Sequence, residues 1–107
     1  MTKSYNQTCP LACALDIIGE KWTPLILREL LLESPKRYQD LLNSLPSLSA
    51  STLSERLKKL EKHKIVERQF YSDHPPRAQY ILTQKGHDLR PALIALRDWG
   101  EKHADLK

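Results

Sequence analysis

The change of hydrophobic periodicity near Ile65 is the feature that most constrains the fold of this 107-residue chain. Before it, apolar residues recur three or four positions apart, which is the spacing of helices with one buried face. After it, "IVERQFY" at 65–71 and "AQYILT" at 78–83 alternate in polarity, and the turn-forming "SDHPPR" lies between them. The sequence therefore predicts several helices, then a two-stranded β-hairpin, then a last long helix.

Prolines and capping residues divide the helical part into segments. Ser34-Pro35 and Pro46 end the second and third helices, and Ser49 is a suitable N-cap for the fourth. Pro91 either kinks the last helix or begins its second part. The helices are predicted at residues 10–19, 22–32, 37–45, 50–63 and 84–105, after an N-terminal arm at 1–8, and the hairpin occupies 65–83.

Two adjacent short helices directly before a β-hairpin are typical of a winged helix-turn-helix. In that architecture the helix at 37–45 is the positioning helix, the helix at 50–63 is the reader helix, and the hairpin is the wing. We therefore predict an α+β fold that is mainly α, with a single winged-helix domain over residues 1–107 and a long C-terminal helix. The length agrees, because a chain of this size suffices for one domain with a modest core.

Composition limits the class of protein and its partners. Apolar residues make up 40% of the chain and charged residues 28%, so we expect a globular rather than a disordered protein. No apolar run approaches the length of a membrane span, no signal peptide is visible, and two cysteines do not make a disulfide scaffold. We therefore expect a cytoplasmic protein without membrane contact. The net charge of +4 and the pI near 9.2 permit a polyanionic partner without requiring one.

The sequence offers no support for catalysis or for a cofactor. It has three glycines, no glycine-rich phosphate loop, no HExxH motif and no nucleophile elbow. Its four histidines, at positions 63, 74, 87 and 103, are scattered. Cys9 and Cys13 face the same side of a helix, yet further metal ligands are not placed near them. We predict no enzymatic activity, no cofactor and no metal site.

The predicted reader helix has an apolar face and an opposite polar face. At about 3.6 residues per turn, the leucines at 53, 57 and 60 point to the core. The outward residues are Ser51, Glu55, Lys58 and Lys62. Short hydroxyl side chains allow close approach to a duplex, Glu55 can accept a hydrogen bond from a cytosine amino group, and Arg56 can reach guanine or phosphate. The alternative is a solvated helix face without a partner, which lysines and glutamates also form.

The predicted wing adds cations beside the reader helix. Its tip carries His74 and Arg77 around two prolines, while Lys36 and Arg37 lie at the start of the positioning helix. Such cations can contact phosphates or the minor groove, although exposed loop charges on an ordinary rigid turn are the alternative. The candidate DNA-binding residues are Lys36, Arg37, Ser49, Ser51, Thr52, Glu55, Arg56, Lys58, Lys59, His74 and Arg77. A winged-helix module that binds a protein through the same surface, without DNA, is the competing hypothesis.

A series of short motifs runs through residues 9–100. They are Cys9-Pro10, Ile18-Gly19, Lys21-Trp22, "ILREL" at 26–30, "RYQDL" at 37–41, Leu45-Pro46, "LSERLKKLE" at 53–61, "IVERQFY" at 65–71, "PPRAQYILT" at 75–83, Gly86 and Trp99-Gly100. In this order they resemble the HxlR-type transcriptional regulators, a family similar to the MarR-type winged-helix repressors. Three positions depart from that pattern, and Cys13 is one of them. Lys64 stands where a glycine would commonly close the reader helix, and Pro24 fits only if the second helix begins near Thr23.

The resemblance implies a sequence-specific transcriptional regulator that binds a roughly palindromic operator as a homodimer, with one reader helix in each half-site. It also implies that the first and last helices, 10–19 and 84–105, form the dimer interface. The candidate interface residues are Leu11, Leu15, Leu89, Leu93, Leu96 and Trp99. The amphipathic last helix agrees with this assignment, and packing of that helix on its own core is the alternative. The resemblance does not specify an inducer.

Cys9 is a candidate sensor of oxidants or electrophiles. It directly precedes Pro10, a residue favoured at the first helical position, so the thiol is predicted to lie at the N-cap. The positive end of a helix favours the thiolate, which is the reactive form. Some HxlR-type members are similar in carrying a sensing cysteine in such a Cys-Pro pair. The alternative is a small buried residue without reactivity.

Overall fold

A small antiparallel sheet lies against a cluster of helices in the computed structural model of the protein, which describes residues 9–73 and 76–105. In these residues the elements are α1 (Pro10–Ile18), α2 (Trp22–Leu32), β1 (Lys36–Arg37), α3 (Tyr38–Ser44), α4 (Ala50–Lys62), β2 (Val66–Asp73), β3 (Pro76–Leu82), α5 (Gln84–His87) and α6 (Arg90–His103). The predicted α+β class, mainly helical, is confirmed. The predicted arm at 1–8 and the wing residue His74 lie outside the described residues.

Helix α2 packs against four of the other elements. It contacts α3, α4, α6 and β3, and its residues Ile26, Leu27 and Leu30 are almost fully buried. The rest of the buried apolar core is formed by Leu41, Leu45, Leu48, Leu53, Leu57, Leu60, Ile65, Val66 and Leu82. Burial of this apolar area is the main favourable contribution to folding. Because the leucines of α4 belong to this core, the reader helix is held with its opposite side to solvent.

The predicted hairpin is present as β2 and β3. The two strands pair antiparallel from Val66 opposite Leu82 to Phe70 opposite Ala78, and a bulge follows before Ser72. A bulge increases the local twist of a strand pair and bends it. The outer half of the wing therefore turns away from the line of the sheet that packs on the helices.

A third strand, β1, pairs with the free edge of β3 and was not predicted. Lys36 lies opposite Tyr80 and Arg37 opposite Gln79, which gives the strand order β1-β3-β2. The prediction that Arg37 begins the positioning helix is therefore wrong by one residue. A two-residue strand is too short to show periodicity, and it forms because the unpaired amide and carbonyl groups of an edge strand accept any extended neighbour.

Both ends of the reader helix are capped by local interactions. At its start, the hydroxyl of Ser49 accepts a hydrogen bond from the amide of Thr52 at 3.2 Å, as predicted for an N-cap. At its end, Lys64 adopts a left-handed φ of 63°. The amide of Lys64 donates to the carbonyl of Glu61 and the amide of Ile65 to that of Leu60, the pattern of a Schellman cap. A lysine thus occupies the position where glycine would carry no steric cost.

Prolines lie in the first turns of three helices, and Pro10 is the first residue of α1. Pro24 is the third residue of α2 and Pro91 the second of α6, where a missing amide costs no intrahelical hydrogen bond. Pro91 therefore begins a second helix rather than kinking a single one. The short preceding helix α5 is capped by Thr83, whose hydroxyl accepts a hydrogen bond from the amide of Gly86 at 3.2 Å. The residues predicted as one helix at 84–105 thus form two.

Candidate nucleic-acid interface

The outward face of α4 has the composition and exposure that the sequence predicts. Leu53, Leu57 and Leu60 are at most 2% exposed and anchor the helix in the core. The exposed residues on the other side are Ser51, Ser54, Glu55, Lys58 and Lys62. Small hydroxyl groups thus occupy the N-terminal turns and lysines the C-terminal ones. The small residues allow the backbone to approach a duplex closely, and the lysines supply charge for phosphates.

Tyr38 fixes the start of the reader helix and was missed as a functional residue. Its hydroxyl donates a hydrogen bond to the backbone carbonyl of Ala50 at 2.7 Å and lies 2.9 Å from the hydroxyl of Ser54. Since Tyr38 is the first residue of α3, this contact sets the angle between the positioning and reader helices. The sequence carries a signal for this role, because Tyr38 lies among leucines that face the core. A partly buried tyrosine hydroxyl usually forms a hydrogen bond with a polar partner.

Lys59 is turned toward the molecule rather than toward solvent. Its ammonium donates a hydrogen bond to the backbone carbonyl of Asp16 in α1 at 2.8 Å. A carbonyl in the last turn of a helix has no intrahelical partner and carries partial negative charge, which favours a cation there. The sequence predicts that Lys59 contacts DNA; in the structure one of its three donors is already used to hold α1 against α4.

Arg56 forms a second link from the reader helix to the segment after α1. Its Nε lies 2.9 Å from Oε1 of Glu20, and the same oxygen accepts hydrogen bonds from the amide and hydroxyl of Thr23 at 2.7 and 2.8 Å. Partial burial by itself raises the pKa of Glu20. Hydrogen bonds from the backbone amides of Trp22 and Thr23 and from the Thr23 hydroxyl, together with the ion pair with Arg56, outweigh it and lower that pKa to about 2. Glu20 is therefore ionised at neutral pH and holds Arg56 at the flank of the reader helix.

The two cations of β1 differ in accessibility. The side chain of Lys36 is only 12% exposed and its ammonium lies 3.5 Å from a carboxylate oxygen of Glu33. Arg37 is 57% exposed and lies 3.7 Å from Asp40. Its pKa is raised by the hydroxyl of Tyr71 and by Asp40. Arg37 is therefore the more accessible of the two candidates. It can reach a phosphate without first becoming exposed to solvent.

The described part of the wing presents aromatic as well as charged side chains. Phe70 and Tyr71 are 60% and 46% exposed, and the guanidinium of Arg68 stacks over the Phe70 ring at 5.7 Å. Arg77 lies exposed on β3, opposite Ser72. The two aromatic residues are neighbours in β2, and the register shift between Phe70 and Ser72 coincides with their exposure.

Positive charge gathers at the C-terminal end of the reader helix. Burial, followed by the charges of Lys85, Lys59 and Lys62, lowers the pKa of His63, so this side chain is neutral at neutral pH. The ammonium of Lys85 also donates a hydrogen bond to the backbone carbonyl of His63 at 2.7 Å. The positive charges of these lysines disfavour protonation of His63. They also attract polyanions to the C-terminal end of the reader helix.

Cys9 lies at the N-cap of α1, as predicted. Its Sγ accepts a hydrogen bond from the amide of Ala12 at 3.5 Å, and the residue is half-buried. Cys13, one turn further along the helix, is exposed. Within the described residues, no group of three or more His, Cys, Asp or Glu side chains is arranged to hold a metal ion.

The residues predicted for a dimer interface fall into two sets. Leu11 and Leu15 on α1 are 67% and 53% exposed, and Leu96 and Trp99 on α6 are 61% and 62% exposed. By contrast, Leu89 and Leu93 are partly buried and pack against the core of their own chain. Contiguous exposed apolar patches mark interaction sites in many proteins. Along residues 9–73 and 76–105, no helix is long and apolar enough to cross a membrane.

Positioning helix α3, reader helix α4 and the wing together define a winged helix-turn-helix transcriptional regulator. The chain belongs to the HxlR-like helix-turn-helix family, whose model matches residues 17–107. The resemblance seen in the sequence motifs is therefore confirmed. This family is a class of regulators, not of enzymes, in agreement with the absence of catalytic motifs from the sequence.

Similar proteins and a similar solved structure support the assignment to this family. The chain is 40% identical over 100 residues to the HTH-type transcriptional regulator sll1512 of Synechocystis sp., a match that covers 90% of this chain and 73% of that protein. It is 34% identical over 101 residues to the HTH-type transcriptional regulator YodB of Bacillus subtilis, which covers 94% and 89% of the two chains. Among solved structures, the redox regulator HypR in its oxidized form matches with a TM-score of 0.83 at 33% identity, covering 92% of this chain and 100% of that one.

Proposed function

We propose that the protein binds a roughly palindromic operator in double-stranded DNA as a homodimer and regulates transcription in the cytoplasm. The observation that carries the proposal is the orientation of α4. Its leucines are buried, and its serines, Glu55 and Lys58 face solvent. An α-helix presented in this way fits the major groove, where side chains can read base edges. The alternative, a module that binds a protein through this face, has no comparable support.

Each candidate contact has a distinct role in this proposal. Lys58, Arg37 and Arg77 are exposed cations that bind phosphates and set the register on the duplex. Ser51 and Thr52 allow close approach at the N-terminal end of the reader helix, and Glu55 reads a base edge. Ser49 acts as the N-cap that orients this end, and Arg56 and Lys59 orient the helix from within the protein. Lys36, paired with Glu33, supports β1, and the role of His74 at the wing tip is inferred from the sequence alone.

The dependence of operator affinity on salt tests this function. The operator is located by footprinting on the DNA next to the coding sequence, and its affinity is then measured between about 50 and about 200 mM salt. Binding that neutralises phosphates weakens steeply over this range. Lys58→Met should reduce the slope of log affinity against log salt by about one. Lys102→Met, which removes an exposed lysine at the end of α6, is the matched control and should leave the slope unchanged.

Two further results would separate the alternatives. Glu55→Gln should change the preference among operator sequences, because a base contact specifies sequence whereas a phosphate contact does not. A protein-binding module would show neither the salt slope nor this change of preference. Absence of both effects would contradict the proposed function.

Exposed apolar residues of α1 and α6 support the homodimer. Leu96 and Trp99 are more than half exposed, as are Leu11 and Leu15, and a two-fold interface would bury all of them in both copies. Trp99→Arg should convert the dimer to a monomer in size-exclusion chromatography with light scattering. Phe70→Arg changes a side chain of nearly equal exposure, 60% against 62%, on the wing and should leave the dimer intact. A Trp99→Arg protein that stays dimeric would contradict this interface.

Cys9 is the proposed sensor of electrophiles. The HypR structure is that of a redox regulator, and Cys9 of this chain lies at the N-cap of α1 with its Sγ accepting a hydrogen bond from the amide of Ala12. With a quinone, Sγ would form a bond to a ring carbon, the thiol proton would pass to one quinone oxygen, and the hydrogen of the attacked carbon would shift to the other oxygen. The product is a thioether on a hydroquinone. The bulky thioether cannot accept the hydrogen bond from the Ala12 amide as the unmodified sulfur does. Helix α1 would then lose its N-cap.

A further inference from the structure

An ion pair joins the outer part of β2 to the reader helix. Nε of Arg68 donates a hydrogen bond at 3.0 Å to Oε2 of Glu61, which lies in the last turn of α4. In β2, Val66 is buried, whereas residues 67–71 are all exposed. Little apolar packing therefore holds this part of the strand, and a polar contact to α4 can decide its orientation.

The opposite edge of the sheet is also linked to α4. The strand order is β1-β3-β2, so β1 and β2 are the two edges. Tyr38 directly follows β1, and its hydroxyl donates to the carbonyl of Ala50, the first residue of α4. At the β2 edge, Arg68 reaches Glu61 near the other end of the same helix. Links at opposite edges of the sheet and opposite ends of the helix restrict a rotation of the wing that either link alone would allow.

Neighbours on the sheet hold the side chain of Arg68 in place. Arg68 lies opposite Tyr80 on β3, and its guanidinium stacks over the Phe70 ring at 5.7 Å. Burial raises the pKa of Tyr80, the charge of Arg68 lowers it and that of Glu61 raises it, so both charges lie near the Tyr80 hydroxyl. A guanidinium that is already ordered by an aromatic ring loses less side-chain entropy when it pairs with a carboxylate.

We propose that Arg68 is a positioning residue, which through Glu61 orients the wing so that Arg77 meets a phosphate while the reader helix lies in the major groove. This role rests on the proposed function. The side chains of Arg68 and Glu61 are 47% and 31% exposed, so their pair contributes little to the free energy of unfolding. Its loss should leave the protein folded but release the wing into orientations in which Arg77 misses the duplex. The apparent affinity then falls with the fraction of protein whose wing is correctly placed.

A double-mutant cycle tests the proposal, with binding of a fluorescent operator duplex measured by anisotropy at fixed salt. In the unchanged protein, Arg77→Gln should weaken binding about tenfold. Arg68→Met, checked for folding by circular dichroism, should itself weaken binding about fivefold, and Arg77→Gln should then cost less than about twofold more. Lys58→Met, the matched change on the reader helix, should cost the same factor in both backgrounds, because Lys58 does not act through the wing.

Substitution of Glu61 separates positioning from a direct contact between Arg68 and DNA. If Arg68 bound a phosphate itself, Glu61→Gln would release it and strengthen binding. Positioning requires the opposite result, in which Glu61→Gln weakens binding about fivefold and adds nothing to Arg68→Met. Glu67→Gln removes the same charge from an exposed site on β2 and is the reference for the change in net charge. If Arg68→Met does not fold, Glu61→Gln takes its place in the cycle.

Two results would overturn the inference. One is an Arg77→Gln penalty that is equal in the unchanged protein and in Arg68→Met, and the other is Glu61→Gln binding as tight as that of Glu67→Gln or tighter. If Arg77→Gln has no effect in the unchanged protein, the wing does not contact the duplex and the inference fails as well. The proposed function fails only if Lys58→Met is also without effect, so the two failures are distinguishable.

Discussion

The ammonium of Lys59 donates a hydrogen bond to the backbone carbonyl of Asp16 at 2.8 Å, across 43 residues of sequence. With the ion pair between Arg56 and Glu20, it joins the reader helix to α1 and to the segment that follows α1. Cys9 caps the other end of α1. The helix that carries the proposed sensor is therefore in direct contact with the helix that carries the proposed base contacts.

Substitution of Lys59 should affect stability more than DNA contact. Lys59→Met keeps the aliphatic stem but removes the hydrogen bond to Asp16, and it should lower the free energy of unfolding in urea by about 1 kcal/mol. Lys58→Met, the neighbouring and fully outward control, should change stability by less than about 0.5 kcal/mol while reducing the salt slope of operator binding. If Lys59→Met instead lowers the slope without loss of stability, the Lys59 ammonium leaves Asp16 for a phosphate.

The Glu20 carboxylate should make stability depend on acid pH. Its pKa is about 2 in the folded protein against 4.5 ordinarily. Its contribution is fully present above the unfolded value and is lost as pH falls from about 4.5 toward about 2. Glu20→Gln should therefore be less stable than the unchanged protein at neutral pH, and the difference should shrink as pH falls below about 4.5.

Urea unfolding between about pH 7 and about pH 3 measures this difference. Glu67→Gln, at an exposed site on β2, is the control and should follow the unchanged protein at every pH. A difference for Glu20→Gln that stays constant over the whole range would show that the carboxylate does not titrate as its contacts require.

Much of this architecture is predictable because it depends on neighbours in sequence. The leucine spacing of α4 and the capping residues Ser49 and Cys9 act over three or four positions, so periodicity and local chemistry identify them. The pairing of β1 and the link between Glu20 and Arg56 depend on residues tens of positions apart. Their side chains are typical of a solvated surface, and only the packing of α1 and β3 beside them gives them partners.

The left-handed Lys64 offers a stabilising substitution. Lys64→Gly should raise the free energy of unfolding by roughly 0.5 to 1 kcal/mol, because glycine adopts a φ of 63° without a Cβ clash. Lys62→Gly removes the same charge two residues earlier, inside the helix, and should lower stability by about 1 kcal/mol. Urea unfolding of both variants gives the comparison. Equal destabilisation by the two glycines would mean that the strain at Lys64 is not significant.

Loss of Cys9 should abolish the response to electrophiles. Serine at this position can still accept the Ala12 amide as an N-cap, but it does not add to a quinone, so Cys9→Ser should fold and bind the operator normally. Treatment with benzoquinone should weaken operator binding by the unchanged protein and by Cys13→Ser, and should leave Cys9→Ser unaffected. Electrophoretic mobility shift measures each case, and an undiminished response in Cys9→Ser would remove this residue from the mechanism.

The two-residue strand β1 has a consequence for the cost of binding DNA. It pairs with β3 on one side and runs directly into α3 on the other, so the wing is tethered to the positioning helix by backbone hydrogen bonds. Tyr38, the next residue, holds α3 to the start of α4. The separation between wing and reader helix is thereby set in the free protein. Little conformational entropy then has to be lost when both elements meet a duplex, and affinity gains accordingly.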